Sequence, residues 1–309
     1  MFFNKILRIF ILLTSVLSFQ SSFADGFRYS KIIIFKQDDK QNEVYGQEIG
    51  NYQQRWFWEP VSSASYYVGL FYFENMKPKI NFINLADIRR NDTSLESKSL
   101  YHEFLKDNGL LLKQPPFKGW NYVSTGNDGH HLFENMSGNF AWDVVKKKKN
   151  NSFHNQGFSN QDYHVWAEPV YSPISGTVTE VVRSAEDNVP DPTNTADLST
   201  KGDGNYILIH LYSNFYFILM HFKKDSIPPT LVPGSKLQVG DYIGEVGNSG
   251  VSYSPHLHMT MYYWSFELDR MISVPTLFEK YEVKRGSFET TLIEEVSIPK
   301  TGDLIKALH

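Results

Sequence analysis

From residue 120 onward the chain alternates short apolar runs with turns rich in Gly, Pro and Asn. Phe140–Val145, Gly176–Val182, Tyr206–Leu211, Tyr216–Phe222, Asp241–Val246 and His256–Tyr262 each have the length of a strand. Their β-branched and aromatic side chains fit a pleated surface. They predict a mainly β domain over residues 116–280. Upstream, Ser30–Phe35, Trp56–Trp58 and Tyr66–Phe73 are separated by polar, turn-forming stretches. That spacing predicts a second, N-terminal β-rich unit over residues 25–115, read as a small sandwich. Apolar positions at Leu95, Leu100, Tyr101 and Leu105, with Gly109 as a stop, predict a helix within Ser94–Asn108. Lys113–Gly119 contains Pro115 and Pro116 and reads as a linker. Ser184–Gly204 has little apolar content and reads as a long surface loop, of a length that often forms a functional wall. Residues 281–309 read as a C-terminal extension with a strand over Thr290–Ile298 and a short terminal helix.

The amino terminus breaks this pattern. Lys5 and Arg8 flank the start of an apolar run from Ile9 to Leu17, and Ser22 and Ala24 are small residues at a cleavage point. This predicts a cleavable secretory signal over residues 1–24. The run is shorter than the ~20 residues a bilayer span needs, so no stable membrane span is expected after cleavage. The 309 residues include no Cys. Disulfides, thiolate zinc sites, cysteine nucleophiles and a lipoprotein anchor are thereby excluded, and His, Asp and Glu remain as metal ligands. Export without cysteine suits a bacterial periplasmic or secreted protein. Thirty basic residues stand against 34 acidic ones, which provides no field to hold a nucleic-acid backbone.

The histidines carry the chemistry. His256 and His258 open an apolar run, and residues i and i+2 of a strand face one side. A pair of hydrogen-bonded structural histidines is the competing reading of that tetrapeptide alone. Gly244, Gly247 and Gly250 lie just before it, a tight backbone turn that would be wasteful unless it delivers the strand into a site. His221 ends a second apolar run, and Asp143 is a lone carboxylate inside a third. A buried carboxylate without a partner is expensive, so ligation or hydrogen bonding is expected there. His130 and His131 lie just upstream. Three separated histidine sites and one strand-buried Asp point to zinc held by two His and one Asp, with a fourth position open for water.

These residues resemble a family. From about Gly129 to Pro275 the chain is similar to the lysostaphin-type (LytM-like) zinc metallopeptidases, which cut peptides of bacterial peptidoglycan. The matching pieces occur in the family's order. They are His131 with Phe140–Asp143, Pro169–Val178, Gly204–Ile209, the strand ending in His221, Val239–Gly244, Gly247–Gly250 and Pro255–His258. The resemblance implies an antiparallel β-sheet groove domain with one zinc ion per chain. His131, Asp143 and His258 are its implied metal ligands, and His221 and His256 its implied catalytic pair. It implies a metalloendopeptidase acting on peptidoglycan stem or cross-link peptides. The alternatives are a secreted metalloprotease acting on proteins and a non-catalytic regulator of a cell-wall hydrolase. The N-terminal unit, which the resemblance does not cover, is expected to cover the groove and restrain activity.

Three departures bear on the site. Many members carry a compact His-x-x-x-Asp, which would put Asn139 at the ligand position, whereas His131 stands twelve residues before Asp143. His130 competes with His131, because adjacent strand residues face opposite sides. Leu219 and Phe222 replace a tyrosine and a leucine common around the catalytic histidine. His210, on the preceding run, is a candidate to approach the site, and Trp142 and Trp166 are read as core.

Overall fold

The computed structural model describes residues 29–36, 47–49, 66–74 and 77–84 as backbone strands, and residues 102, 105–126, 138, 140–212, 214–265, 270–274, 276–286 and 290–308. The chain divides into two compact units, Met1–Phe104 and Leu105–His309. The expected signal peptide, Trp56–Trp58 and most of the expected helix lie outside the described residues.

In the first unit β1 (Tyr29–Lys36), β2 (Gln47–Ile49), β3 (Tyr66–Glu74) and β4 (Lys77–Asn84) form one antiparallel sheet in the order β2-β1-β3-β4. The unit is β-rich, as expected, and Lys77–Asn84 pairs along β3 from Tyr67↔Asn84 to Glu74↔Lys77. The remainder of the expected sandwich lies outside the described residues.

The second unit holds β5 (Asn121–Thr125), β6 (Trp142–Val145), β7 (Pro169–Tyr171), β8 (Gly176–Val182) and β9 (Tyr206–Tyr212). These are followed by β10 (Phe215–Met220), β11 (Lys236–Leu237), β12 (Tyr242–Glu245), β13 (Leu257–Ser265) and β14 (Arg270–Val274). Last come β15 (Phe278–Lys284), β16 (Leu292–Ser297) and β17 (Leu304–Lys306). An 11-stranded sheet runs β11-β8-β9-β10-β13-β6-β5-β17-β15-β16, with β14 also paired to β13, and β12 pairs with β7 separately. Its ladders are antiparallel, so the unit is the mainly β, antiparallel domain expected.

The middle of the sheet is covered on both faces. Five of the six residues of β10 are buried, so the in-out alternation of a half-exposed strand disappears there. Trp142 is fully buried and packs on Phe278 at 5.6 Å between ring centroids, and Phe278 meets Tyr281 at 5.5 Å. Trp142 is thus core, as expected.

The segment read as a linker is built into this unit: Pro115, Pro116 and Phe117 are buried, as are Leu110, Leu111 and Leu112 just before the segment. The Asn121 amide closes the turn that follows, accepting from Phe117 N at 3.0 Å and donating to Gly119 O at 2.8 Å. The expected stop at Gly109 is present (φ +68), with Leu110 N donating back to Leu105 O at 2.7 Å.

The short terminal helix is replaced by β17, whose Leu304 and Ile305 pair with β5 on one side and with β15 on the other. A slot between two strands outweighs local helix propensity in so short a segment. Residues 281–309 therefore contribute strands to the main sheet.

Candidate metal centre

The site forms where three strands end side by side. His258, the second residue of β13, stands opposite Asp143 on β6 and opposite Met220 on β10. His258 Nδ1 lies 3.0 Å from Asp143 Oδ1. The two residues are 115 positions apart in sequence and adjacent in the sheet.

One residue beyond Met220 the backbone turns sharply. His221 adopts φ +66, a left-handed conformation that a side chain with a Cβ rarely takes. The turn returns its ring toward the strand ends, 5.7 Å from the His258 ring and 4.7 Å from the His256 ring between centroids. His256 precedes β13 and is half-buried, with Nε2 3.5 Å from Asp143 Oδ1. One ligand nitrogen from each of His221, His256 and His258 lies within 4.8 Å of the others. Asp143, His221 and His258 are 8%, 5% and 9% exposed, so His256 is the member most open to solvent.

Backbone carbonyls fix the tautomers. A carbonyl only accepts, so His221 Nδ1, 2.8 Å from Ser249 O, carries a hydrogen. His256 Nδ1, 2.8 Å from Ser254 O, carries one as well. In the neutral rings both Nε2 atoms are then lone pairs. Burial holds His221 well below the ordinary imidazole range, the charges of His256 and His258 act the same way, and Asp143 opposes them. With Nδ1 occupied by Ser254 O, a neutral His256 turns its Nε2 lone pair toward Asp143 Oδ1, 3.5 Å away. A cation between two such acceptors would be bound by both. Nitrogen lone pairs and a carboxylate are the donor set of a borderline divalent ion, so these residues fit one.

Glycines let the supporting loops close on this centre. A Cβ on Gly247 would lie 2.2 Å from Lys223 N, and one on Gly204 would lie 2.5 Å from the Ser249 carbonyl carbon. The first is an approach of one backbone onto another rather than a turn requirement. Loop 183–205 is free of helix and strand, as expected, and docks on the same segment. Asp187 Oδ1 accepts from Asn248 N at 2.6 Å, and Asn188 Nδ2 donates to Gly250 O at 2.7 Å. Asn248 Oδ1 accepts from Ser252 Oγ at 2.7 Å, next to His256 Nδ1.

Of the residues singled out from the sequence, Asp143, His221, His256 and His258 converge. His130, His131 and Asn139 lie outside the described residues. His210 does not join the cluster: it sits within β9, edge-on to Tyr216 at 5.1 Å. His154 and His164 stack on each other at 5.6 Å, apart from the cluster. Sequence reasoning assigned no role to Asn205 and Ser249, which bond the Phe222 peptide beside His221, or to Asp187, which accepts from Asn248 N and Lys224 N. Asn205 and Ser249 fall within the pieces Gly204–Ile209 and Gly247–Gly250 singled out above, whereas Asp187 carries no local signal.

Residues 162–270, about a third of the chain, match Peptidase family M23. The span includes His221, His256 and His258, and Asp143 precedes it. No curated protein matches the chain. Among solved structures it is similar to a peptidase M23 of Pseudomonas aeruginosa, described there as a candidate, at 14% identity. That match covers 80% of this chain and 90% of that one, with a TM-score of 0.32. It is also similar to a glycyl-glycine endopeptidase lytM of Ruminococcus gnavus, so described provisionally, at 20% identity over 60% and 66% of the two chains (TM-score 0.34). Lysostaphin of Staphylococcus simulans matches at 14% identity over 64% and 80%, with a TM-score of 0.29. No helix among the described residues is long and apolar enough to cross a membrane.

Proposed function

We propose, from the match of residues 162–270 to peptidase family M23, that the protein is a zinc-dependent endopeptidase of bacterial peptidoglycan, acting after export. The observation that carries the reading is the convergence of Asp143 and His258 with His221 and His256 at one end of the sheet. Asp143 and His258, with His131, are the proposed ligands. When bound, zinc supplies Lewis acidity, polarising the scissile carbonyl and making hydroxide available near neutral pH.

The remaining roles belong to the chain. His221 and His256 present Nε2 lone pairs toward the centre, each held in place by a carbonyl on Nδ1. A neutral imidazole in that pose accepts a proton from the attacking water and returns it to the departing amine. Once protonated, the same Nε2–H donates to the oxygen on which charge develops. His256, the more open of the two, is the one assigned to the leaving group. Backbone carbonyls are rigid acceptors, so neither ring has to reorient between substrate and transition state. Digestion of intact sacculi, with and without a chelator, tests the reading: chelator-sensitive release of new peptide amines supports it. Cleavage of casein alone moves the activity to protein substrates.

One observation favours a second reading. The His256 Nε2 to Asp143 Oδ1 separation of 3.5 Å resembles that between two ligands of one ion. If His221, His256, His258 and Asp143 all ligate, the site is closed and the domain binds metal without catalysis. Metal affinity of His131→Ala separates the two: a large loss supports the open site, an unchanged value the closed one.

A further inference from the structure

His221 owes its place to a conformation its own side chain disfavours, so something must hold it there. The contacts around it trace to one residue outside the cluster. Asn205, fully buried just before β9, touches three segments. Its backbone oxygen accepts from Phe222 N at 3.1 Å, and its Nδ2 donates to Phe222 O at 2.9 Å, so both polar groups of the residue after His221 are tied to it. Its backbone N donates to Ser249 Oγ at 2.9 Å, and that hydroxyl donates in turn to Phe222 O at 2.8 Å. Its remaining amide capacity closes on Ala185, with Oδ1 accepting at 2.7 Å and Nδ2 donating at 2.9 Å. Every donor and acceptor of Asn205 is therefore used, and Ser249, whose hydroxyl it engages, carries the carbonyl that receives His221 Nδ1–H. On the other side Gly247 N donates to His221 O at 2.9 Å.

The geometry points to Asn205 as a positioning residue which, acting through Ser249 Oγ and the Phe222 peptide, holds His221 in its left-handed backbone conformation and in the Nδ1–H tautomer, leaving Nε2 to face the centre. The amide is suited to this. It is an uncharged side chain that can donate and accept at once, and a carboxylate or an aliphatic residue of similar size loses the donation to Phe222 O. The tautomer rests on the geometry alone. The kinetic consequence rests on the proposed function.

The test is the nitrogen NMR signature of the His221 ring in the full chain near neutral pH. The intact protein is expected to show His221 as one tautomer, with a slowly exchanging Nδ1–H. Absence of that signal overturns the proposal without any variant. Ser249→Ala removes the hydroxyl but keeps the carbonyl, and Asn205→Asp keeps size but loses both Nδ2 donations. Each is expected to give a mixture of His221 tautomers while metal content stays at the wild-type level. In the active enzyme, kcat falls on the order of 10²-fold with KM unchanged. A folded Ser249→Ala or Asn205→Asp protein that keeps the single tautomer overturns the assignment. If the tautomer responds as expected and no peptide bond is cut by any form, the proposed function fails and the positioning role stands.

Discussion

Gly247→Ala isolates the backbone approach on which the centre depends. The added Cβ would sit 2.2 Å from Lys223 N, 2.3 Å from Lys223 Cα and 2.5 Å from Asp187 Oδ1, whereas ordinary contact begins near 3.4 Å. Lys223 must move by about 1.2 Å, and the obstruction is main chain, which cannot rotate away. Two hydrogen bonds flank the contact, Gly247 N to His221 O at 2.9 Å and Lys223 N to Glu245 O at 2.9 Å. The displacement therefore reaches His221 within two residues. Overpacking of this kind costs typically ~1–3 kcal/mol, and backbone against backbone belongs at the upper end. In a unit of this size that lowers the melting temperature by about 6–12 °C. Differential scanning calorimetry on the full chain reads it. Gly234→Ala is the control, because its φ is +95 and nothing lies within 4 Å of the added carbon. It is expected to cost about 1–2 kcal/mol, from backbone conformation alone. A Gly247→Ala protein that melts within about 1 °C of wild type would show that the loop and the His221 turn are not in the contact described.

Further outcomes follow from the same geometry. His256→Ala is expected to keep the metal and lose turnover by on the order of 10²-fold or more, read as kcat on sacculi with metal analysis in parallel; near-wild-type turnover would remove its catalytic role. Burial first, then His256 and His258, keep His221 neutral in the folded protein, while the unfolded chain takes up a proton below about pH 6.5. Metal-free protein should thus lose stability as pH falls below that value, by up to about 1.4 kcal/mol per pH unit for this group, and His221→Gln should flatten the slope of the urea midpoint against pH. Away from the site, Arg285 pairs with the buried Asp303 through Nε at 2.9 Å and Nη2 at 3.0 Å, and also with Glu294. Arg285→Ala should cost about 2 kcal/mol, less than the ~3–5 of a fully buried pair because Arg285 is about a third exposed; an unchanged urea midpoint would refute it.

What the amino-acid order disclosed follows from where packing is local. Gly176–Val182 and the run around Tyr216–Phe222 have strand composition and clear turns at both ends, and they form β8 and β10. Asn121–Thr125 is short, with Val123 its one aliphatic residue, and its place as β5 is set by the buried Asn121, which bonds the turn at Phe117–Gly119 and Ile305. That information lies at the far end of the chain. The same holds for β17, which is a strand only because β5 and β15 flank it. At the site, Asp143 and the three histidines were identifiable by residue type. The left-handed turn at His221 was not, since nothing in Leu219–Phe222 favours it and the bonds that hold it come from Asn205, Gly247 and Ser249. The three glycines after Ile243 were legible as a tight loop. That Gly247 serves close contact with Lys223 appears only in the fold.

Hydrolysis by the proposed mechanism requires that Asp143 and His258 hold one divalent ion. Isothermal titration of the chelator-treated full chain with zinc, on wild type, Asp143→Ala and His258→Ala, reads this binding. About one ion is expected per wild-type chain, with loss of that binding in both variants. Absence of binding to the wild-type chain, or unchanged affinity in both variants, would contradict it.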